Sequence, residues 1–339
     1  MTSHSPPLGG VRGGSSLITM LQNVTSVEMP IDEQFRIRKN HFRGGKGRKR
    51  FCVVTGTHGD ELEGQYVVFK LAEMLRQHPE KLNGVVDLYP ALNPLGIDSI
   101  QRGVPAFDLD MNRIFPGDPH GSMVEKVAHD IYTDLRGADM VIDIHSSNMF
   151  LRELPQVRIS EQTAETLVPY AKMLNIDLIW VHQAATVLES TLAHSLNVVG
   201  TPVLVAEMGI GMRINRKLCN QLLHGILNLM HHMGIWADEV DPSLINEPII
   251  SEGDSVDFLN AATSGIFVPE AHNDRTAIVE PGQLIGQIIS PLKGEVLQEV
   301  RAPHRGILFT IRAYPIIYEG SLLARIHRTL PPAPPKGGE

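Results

Sequence analysis

A chain of 339 residues with 42% hydrophobic and 20% charged residues has the composition of an ordinary globular protein and length for about two domains. Its formal net charge of −8 offers no basic footprint for nucleic acid, and no run approaches the ~18 apolar residues of a membrane-spanning helix. Cys52 and Cys219 both sit in apolar segments, which points to buried thiols rather than a disulfide framework, so a cytoplasmic, enzyme-sized protein is the expectation.

The opening stretch MTSHSPPLGGVRGGSS lacks an apolar signal core and suggests a disordered tail over residues 1–25. From about residue 50, apolar runs alternate with amphipathic stretches. RFCVVTG, GVVDLYPAL, DMVIDIHS, IDLIWVH and PVLVAEMG read as strands, and 61–77, 121–136, 161–174 and 214–232 as helices. That alternation predicts an α/β fold, a mostly parallel sheet with helices on both faces; the near-continuous apolar strands fit burial from both sides. Past residue 240 the rhythm changes to short alternating runs such as LIGQIIS, GEVLQEVRA and GILFTIR, separated by Gly and Pro, which predicts a smaller all-β module. A catalytic domain over 26–238 and a β domain over 239–330 follow, with the boundary in ADEVDPSLINEP and a Pro/Gly-rich tail over 331–339.

The chemistry gathers where the strands end. In open α/β sheets ligands bind beyond the carboxyl ends of strands, and three of the five strand candidates end in residues suited to metal or proton chemistry. RFCVVTG runs into GTHGDELEG with His58 and Glu61, DMVIDI ends at His145, and VLVA ends at Glu207. His58 alone fits a hydrogen-bonded turn histidine. Grouped with Glu61 three residues on, and with His145, it fits a catalytic zinc site, which uses about three protein ligands. Glu63 reads as an exposed helix residue. Glu207 fits either a general base, its pKa raised by partial burial, or a buried partner of an arginine or a helix N-terminus. MNRIFPG places Asn112 and Arg113 side by side in a loop, where a guanidinium fork and an amide could hold a carboxylate; Arg102 could steady an oxyanion. A salt-bridged surface loop is the bland alternative for these arginines. Arg152 and Arg158, in LRELPQVRI, leave a substrate role open. His224, His231 and His232 at i, i+7 and i+8 line one helix face rather than a metal.

GTHGDELEG, NPLG, DMNRIFPG, DIHSS and VAEMG, in that order over residues 50–210, resemble the succinylglutamate desuccinylase/aspartoacylase family of the zinc carboxypeptidase superfamily. The resemblance implies a zinc-carboxypeptidase-like fold and one Zn2+ per chain on His58, Glu61 and His145. It also implies Glu207 as the acid/base, Arg102 as the carbonyl polariser, and Asn112 with Arg113 as the carboxylate-binding pair. The β-rich end fits family members with a C-terminal β domain, and VRAPHRGILFTI and EGSLLARI look like a biotinyl/lipoyl-type sandwich without a carrier lysine tip. The implied activity is hydrolysis of the amide bond of a small N-acyl amino acid, by a soluble enzyme that could form a homo-oligomer. A metallocarboxypeptidase acting on short peptides is the alternative. A non-catalytic binding protein with a vestigial fold is a third reading, disfavoured by the intact His/Glu/His set with Glu207.

Overall fold

The computed structural model describes residues 17–183, 189–252, 255–271 and 277–329. Residues 1–16 and 330–339, read from the sequence as tail, lie outside the described residues. Residues 18–25, by contrast, are strand and not tail. Strand β1 (Ile18–Glu28) pairs antiparallel with β2 (Gln34–Gly44). Most of β1 is exposed, so its own pattern says little; the pairing orders it. β2 alternates cleanly and drives Phe35 and Ile37 into the core.

The α/β portion follows: β3 (Arg50–Thr55), α1 (Glu63–Gln77), β4 (Gly84–Tyr89), α2 (Pro94–Ser99), α3 (Met123–Leu135), β5 (Met140–Ser146), β6 (Leu151–Ser160), α4 (Ala164–Ala171), β7 (Leu178–His182), α5 (Leu192–Val198), β8 (Val203–Gly209) and α6 (Arg216–His232). Polar side chains meet the first free N–H groups of α3 and α6. Ser122 and Glu125 form a capping box on α3, and the Asn215 side chain accepts from the Lys217 and Leu218 amides on α6.

The strand order is β1-β2-β4-β3-β5-β8-β6, with β7 beside β6. The centre, β4-β3-β5-β8, is parallel. Both flanks reverse, β2 against β4 and β6 against β8. The sheet is therefore mixed rather than mostly parallel. β6 is absent from the sequence-expected strands because Pro155 and three charged residues interrupt its apolar pattern. The proline falls where the β6–β8 register slips, between Glu153 and Gln156, a position that tolerates a residue with no amide hydrogen.

Helices cover both faces. On one, Val67, Leu71 and Leu75 of α1 and Leu222, Ile226 and Met230 of α6 pack on Phe51, Val53, Ile142 and Leu204. On the other, Val127 and Ile131 of α3 and Leu192 and Leu196 of α5 pack on Cys52, Val54, Val141 and Val203. Each such side chain, fully buried, contributes about 1.5–3 kcal/mol relative to exposure. Cys52 and Cys219 are free and buried, as expected. Beyond β8, alternation along β6 and β7 sends Val157, Ile179 and Val181 into the first core, while Arg158, Ser160, Trp180 and His182 line a cavity.

The C-terminal strands do not begin a separate sheet. β9 (Ile249–Glu252) adds to β7 in parallel. Then come β10 (Val256–Asn260), β11 (Gly265–Pro269), β12 (Ile278–Val279), β13 (Leu284–Ser290), β14 (Glu295–Arg301), β15 (Gly306–Arg312), β16 (Ile316–Ile317) and β17 (Leu322–Arg328). β15 pairs with the first residues of β6, joining Thr310 to Glu153 and Ile311 to Arg152, and β17 and β10 continue outward from it. A second sheet, β14-β13-β11-β16, packs over this extension through Phe267, Ile285 and Ile288 against Leu308, Leu323 and Ile326. The large sheet thus runs on through the expected boundary at 237–248. Among the described residues, no helix is long and apolar enough to cross a membrane.

Candidate active site

His58 and Glu61 lie in the turn between β3 and α1, and the backbone there has little freedom. Gly56 sits at φ +70°, a conformation that side-chain-bearing residues rarely adopt, and a Cβ on Gly59 would overlap the Gly96 carbonyl. The Gly59 amide donates to the Gln101 and Arg102 carbonyls, so the turn is pinned against the loop after α2. His145 comes from the end of β5, the strand next to β3.

The three side chains converge while buried. Their ligand atoms all lie within 4.8 Å of one another. Nδ1 of His58 is 2.7 Å from one Glu61 oxygen, Nδ1 of His145 is 2.9 Å from the other, and the two Nδ1 atoms face each other at 3.2 Å. Each imidazole has a carboxylate behind it: Asp110 lies 3.0 Å from His58 Nε2, and Asp143 lies 3.3 Å from His145 Nε2. Burial works against charge on both rings, yet the surrounding carboxylates outweigh it and raise both pKa values. Burial likewise opposes ionisation of Glu61, and the two histidines win, lowering it below the usual range. A site whose field favours an added positive charge between two nitrogens and a carboxylate suits a cation. Two imidazoles and a carboxylate form a donor set zinc accepts, and a carboxylate on each far nitrogen is the usual support for a ligating histidine. The residues fit the metal.

Glu207, on β8, stands beside His145 in register. Its side chain is 15% exposed and faces a cavity of about 690 Å³. Burial raises its pKa, and Arg158, with Nη1 3.3 Å from Oε1, opposes the rise. Glu207 thus lines the cavity beside the His58/Glu61/His145 cluster and pairs with an arginine, the structural alternative that the sequence raised for it. The cavity also collects Arg102, Asn112 and Arg113. Arg113 is exposed, steadied by a 2.7 Å hydrogen bond to the Asn112 carbonyl. The Asn112 side-chain oxygen accepts from the Leu192 amide at the start of α5, which leaves its NH2 group for other partners. Arg102 donates to Glu61 at 2.9 Å and lies 3.5 Å from Asp110.

Residues 48–233, more than half of the chain, match the family model described as the succinylglutamate desuccinylase/aspartoacylase catalytic domain. The chain belongs to that family. It is 27% identical over 296 residues to an N-alpha-acetyl-L-2,4-diaminobutyric acid deacetylase of Halomonas elongata, covering 81% of this chain and 80% of that one. Among solved structures, it resembles a succinylglutamate desuccinylase/aspartoacylase of Rhodobacter sphaeroides, with TM-score 0.75 and 22% identity over 93% of this chain and 95% of that one. It also resembles a product-bound ectoine utilization protein of Ruegeria pomeroyi, with TM-score 0.77 and 21% identity over 96% and 98%. At that identity the structural likeness establishes the desuccinylase/aspartoacylase fold, including its mixed sheet with a second β layer.

Three carboxylates in and around this cluster are not among the residues the sequence marks. Asp143 was open to detection, since two residues before His145 on a strand means the same face. Asp110 was not: only the path of the loop brings it to His58. Glu63, expected on an exposed face of α1, is fully buried; its carboxylate accepts from the Asn215 amide, and burial pushes its pKa up to about 8. Arg158 lines the cavity, whereas Arg152 is not among the lining residues. His231 and His232 bond to backbone carbonyls on and just after α6, as their helical placement suggested. Asp143→Asn, which keeps shape but removes the charge 3.3 Å from His145 Nε2, is expected to lower zinc affinity by roughly 10–100-fold. Titration against a chelator of known affinity measures it.

Proposed function

We propose that the protein is a zinc-dependent deacylase that hydrolyses the amide bond of a small N-acyl amino acid. The observation that carries this reading is the buried His58/Glu61/His145 set opening onto one cavity with Glu207, Asn112 and Arg113. A zinc ion held by His58, Glu61 and His145 would supply Lewis acidity, polarising the amide carbonyl and bringing the pKa of water down to about 7. Glu207 takes the proton from the attacking water and later delivers it to the departing amine. Arg102 offers a guanidinium to the oxyanion of the tetrahedral intermediate. Arg113 and the Asn112 amide hold the substrate carboxylate. The cavity volume of about 690 Å³ falls within the ~300–1,000 Å³ range of small-molecule sites, which supports a small substrate over a long peptide. The Halomonas relative, named for deacetylation of an N-acetyl amino acid, supports the same class.

Comparing a free N-acetyl amino acid with its C-terminal amide tests the reading. Truncating one partner of a desolvated charge pair costs on the order of 2–5 kcal/mol, so Arg113→Ala is expected to lose about 30-fold or more in kcat/KM on the acid. On the neutral amide the loss should be small, since the partner charge is already gone. Equal losses on both substrates would make Arg113 a structural residue and remove the carboxylate anchor from the proposal.

A further inference from the structure

The charge on Glu207 does not stop at its partner. Arg158 bridges two carboxylates with separate nitrogens: Nη1 lies 3.3 Å from Glu207, and Nη2 donates to Glu153 at 2.8 Å. Glu153 is 2% exposed, and its other oxygen accepts from Arg325 Nη1 at 2.7 Å and from the Thr310 hydroxyl at 3.3 Å. Thr310 lies on β15 and Arg325 on β17, the C-terminal strands that extend the main sheet past β6. The Trp180 ring sits between the arginines, 5.7 Å from the guanidinium carbon of Arg158 and 5.5 Å from that of Arg325. Phe258 of β10 adds a second ring, 5.7 Å from Arg325. The result is an alternating chain, Glu207–Arg158–Glu153–Arg325, with two acids and two bases and no net charge.

We infer that Arg158 is a positioning residue for Glu207, and that the C-terminal strands fix Arg158 through Glu153 and Arg325. The inference rests on the reading of Glu207 as the base. Its physical basis is the geometry of the fork. A guanidinium that spans two carboxylates has one orientation, set by the more deeply buried of them, and the second carboxylate must then meet it where it stands. Glu153 is held on its far side by β15 and β17, so the position of Glu207 depends on strands more than 100 residues downstream of it. Arg325 is not among the residues that line the cavity. The C-terminal β region is in this way part of the machinery that aims the base.

A double-mutant cycle separates this from other roles. With an N-acetyl amino acid as substrate, Arg158→Ala is expected to lower kcat about 10-fold or more, within the range of coupling between contacting charged groups. In the Glu207→Gln background the same change should add almost nothing, because residues that act as a unit are not additive. Arg325→Met keeps most of the packing against Trp180 and removes the charge. It should lower kcat severalfold with KM and zinc content nearly unchanged, and Arg325→Lys should recover part of the loss. Crystal structures of Arg158→Ala and Arg325→Met should show the Glu207 carboxylate moved from its place beside His145. Equal losses from Arg158→Ala in both backgrounds would overturn the inference, as would full kcat in Arg325→Met or an unmoved Glu207. Wild-type turnover in Glu207→Gln alone would instead sink the parent reading of the base, and that outcome is visible before any arginine is changed. Should Arg158→Ala fail to fold, Arg158→Lys supplies the cycle, since a single ammonium cannot span both carboxylates.

Discussion

Glu207→Gln is expected to keep its zinc and lose turnover by roughly 10²–10⁴-fold, the contribution of general acid–base catalysis. The substitution preserves the shape of a side chain that is mostly enclosed and leaves the His58/Glu61/His145 set untouched. It removes only the capacity to accept a proton. The amide oxygen can still accept from Arg158, so the fold should survive; a melting curve near that of the wild type is the control. Single-turnover kinetics on an N-acetyl amino acid, alongside metal analysis, gives the answer. Wild-type turnover would mean that another group activates the water. Loss of zinc would mean that Glu207 belongs to the ligand set rather than beside it.

His145→Ala carries the other large effect. Purified wild-type protein should hold about one zinc per chain, as three-ligand catalytic sites do, and the variant should hold almost none after dialysis. Activity should fall to background with it, and added zinc should not restore it at concentrations that saturate the wild type. The change also leaves the buried carboxylates of Asp143 and Glu61 without the imidazole between them. Buried carboxylates stripped of the imidazole and cation that offset them are costly, so a clear drop in melting temperature should accompany the metal loss. His58→Ala should behave alike, with Asp110 as the abandoned partner. Protein prepared without chelator that holds no metal, and gains no activity from zinc, would remove the metal from the proposed function altogether.

Much of this site lay open in the sequence, because it is built from short-range relations. Strand followed by glycine turn followed by helix is a local pattern, and it places His58 and Glu61 three residues apart at a strand end without any knowledge of the rest. The apolar runs ending in His145 and Glu207 announce two more strand ends by the same local rule. The helices α1, α3 and α6 follow from periodicity, and α3 and α6 also from their caps; all three fall within two residues of the expected bounds. Strand order and register are another matter. They depend on pairings between residues far apart in the chain, and spacing along one segment does not record them. So β1 could pass for tail, and β6, broken by Pro155, could pass for loop, although its Arg158 meets the proposed base. Likewise Glu63 looked like a surface helix residue until the Asn215 turn was seen to close over it. Local spacing along the chain marks the residues suited to the proposed chemistry and the strand ends at which they stand. Long-range pairing sets which carboxylate backs each histidine and which arginine meets Glu207. It also joins the C-terminal strands to the same sheet, and side chains brought together in this way share no spacing that a linear reading can detect.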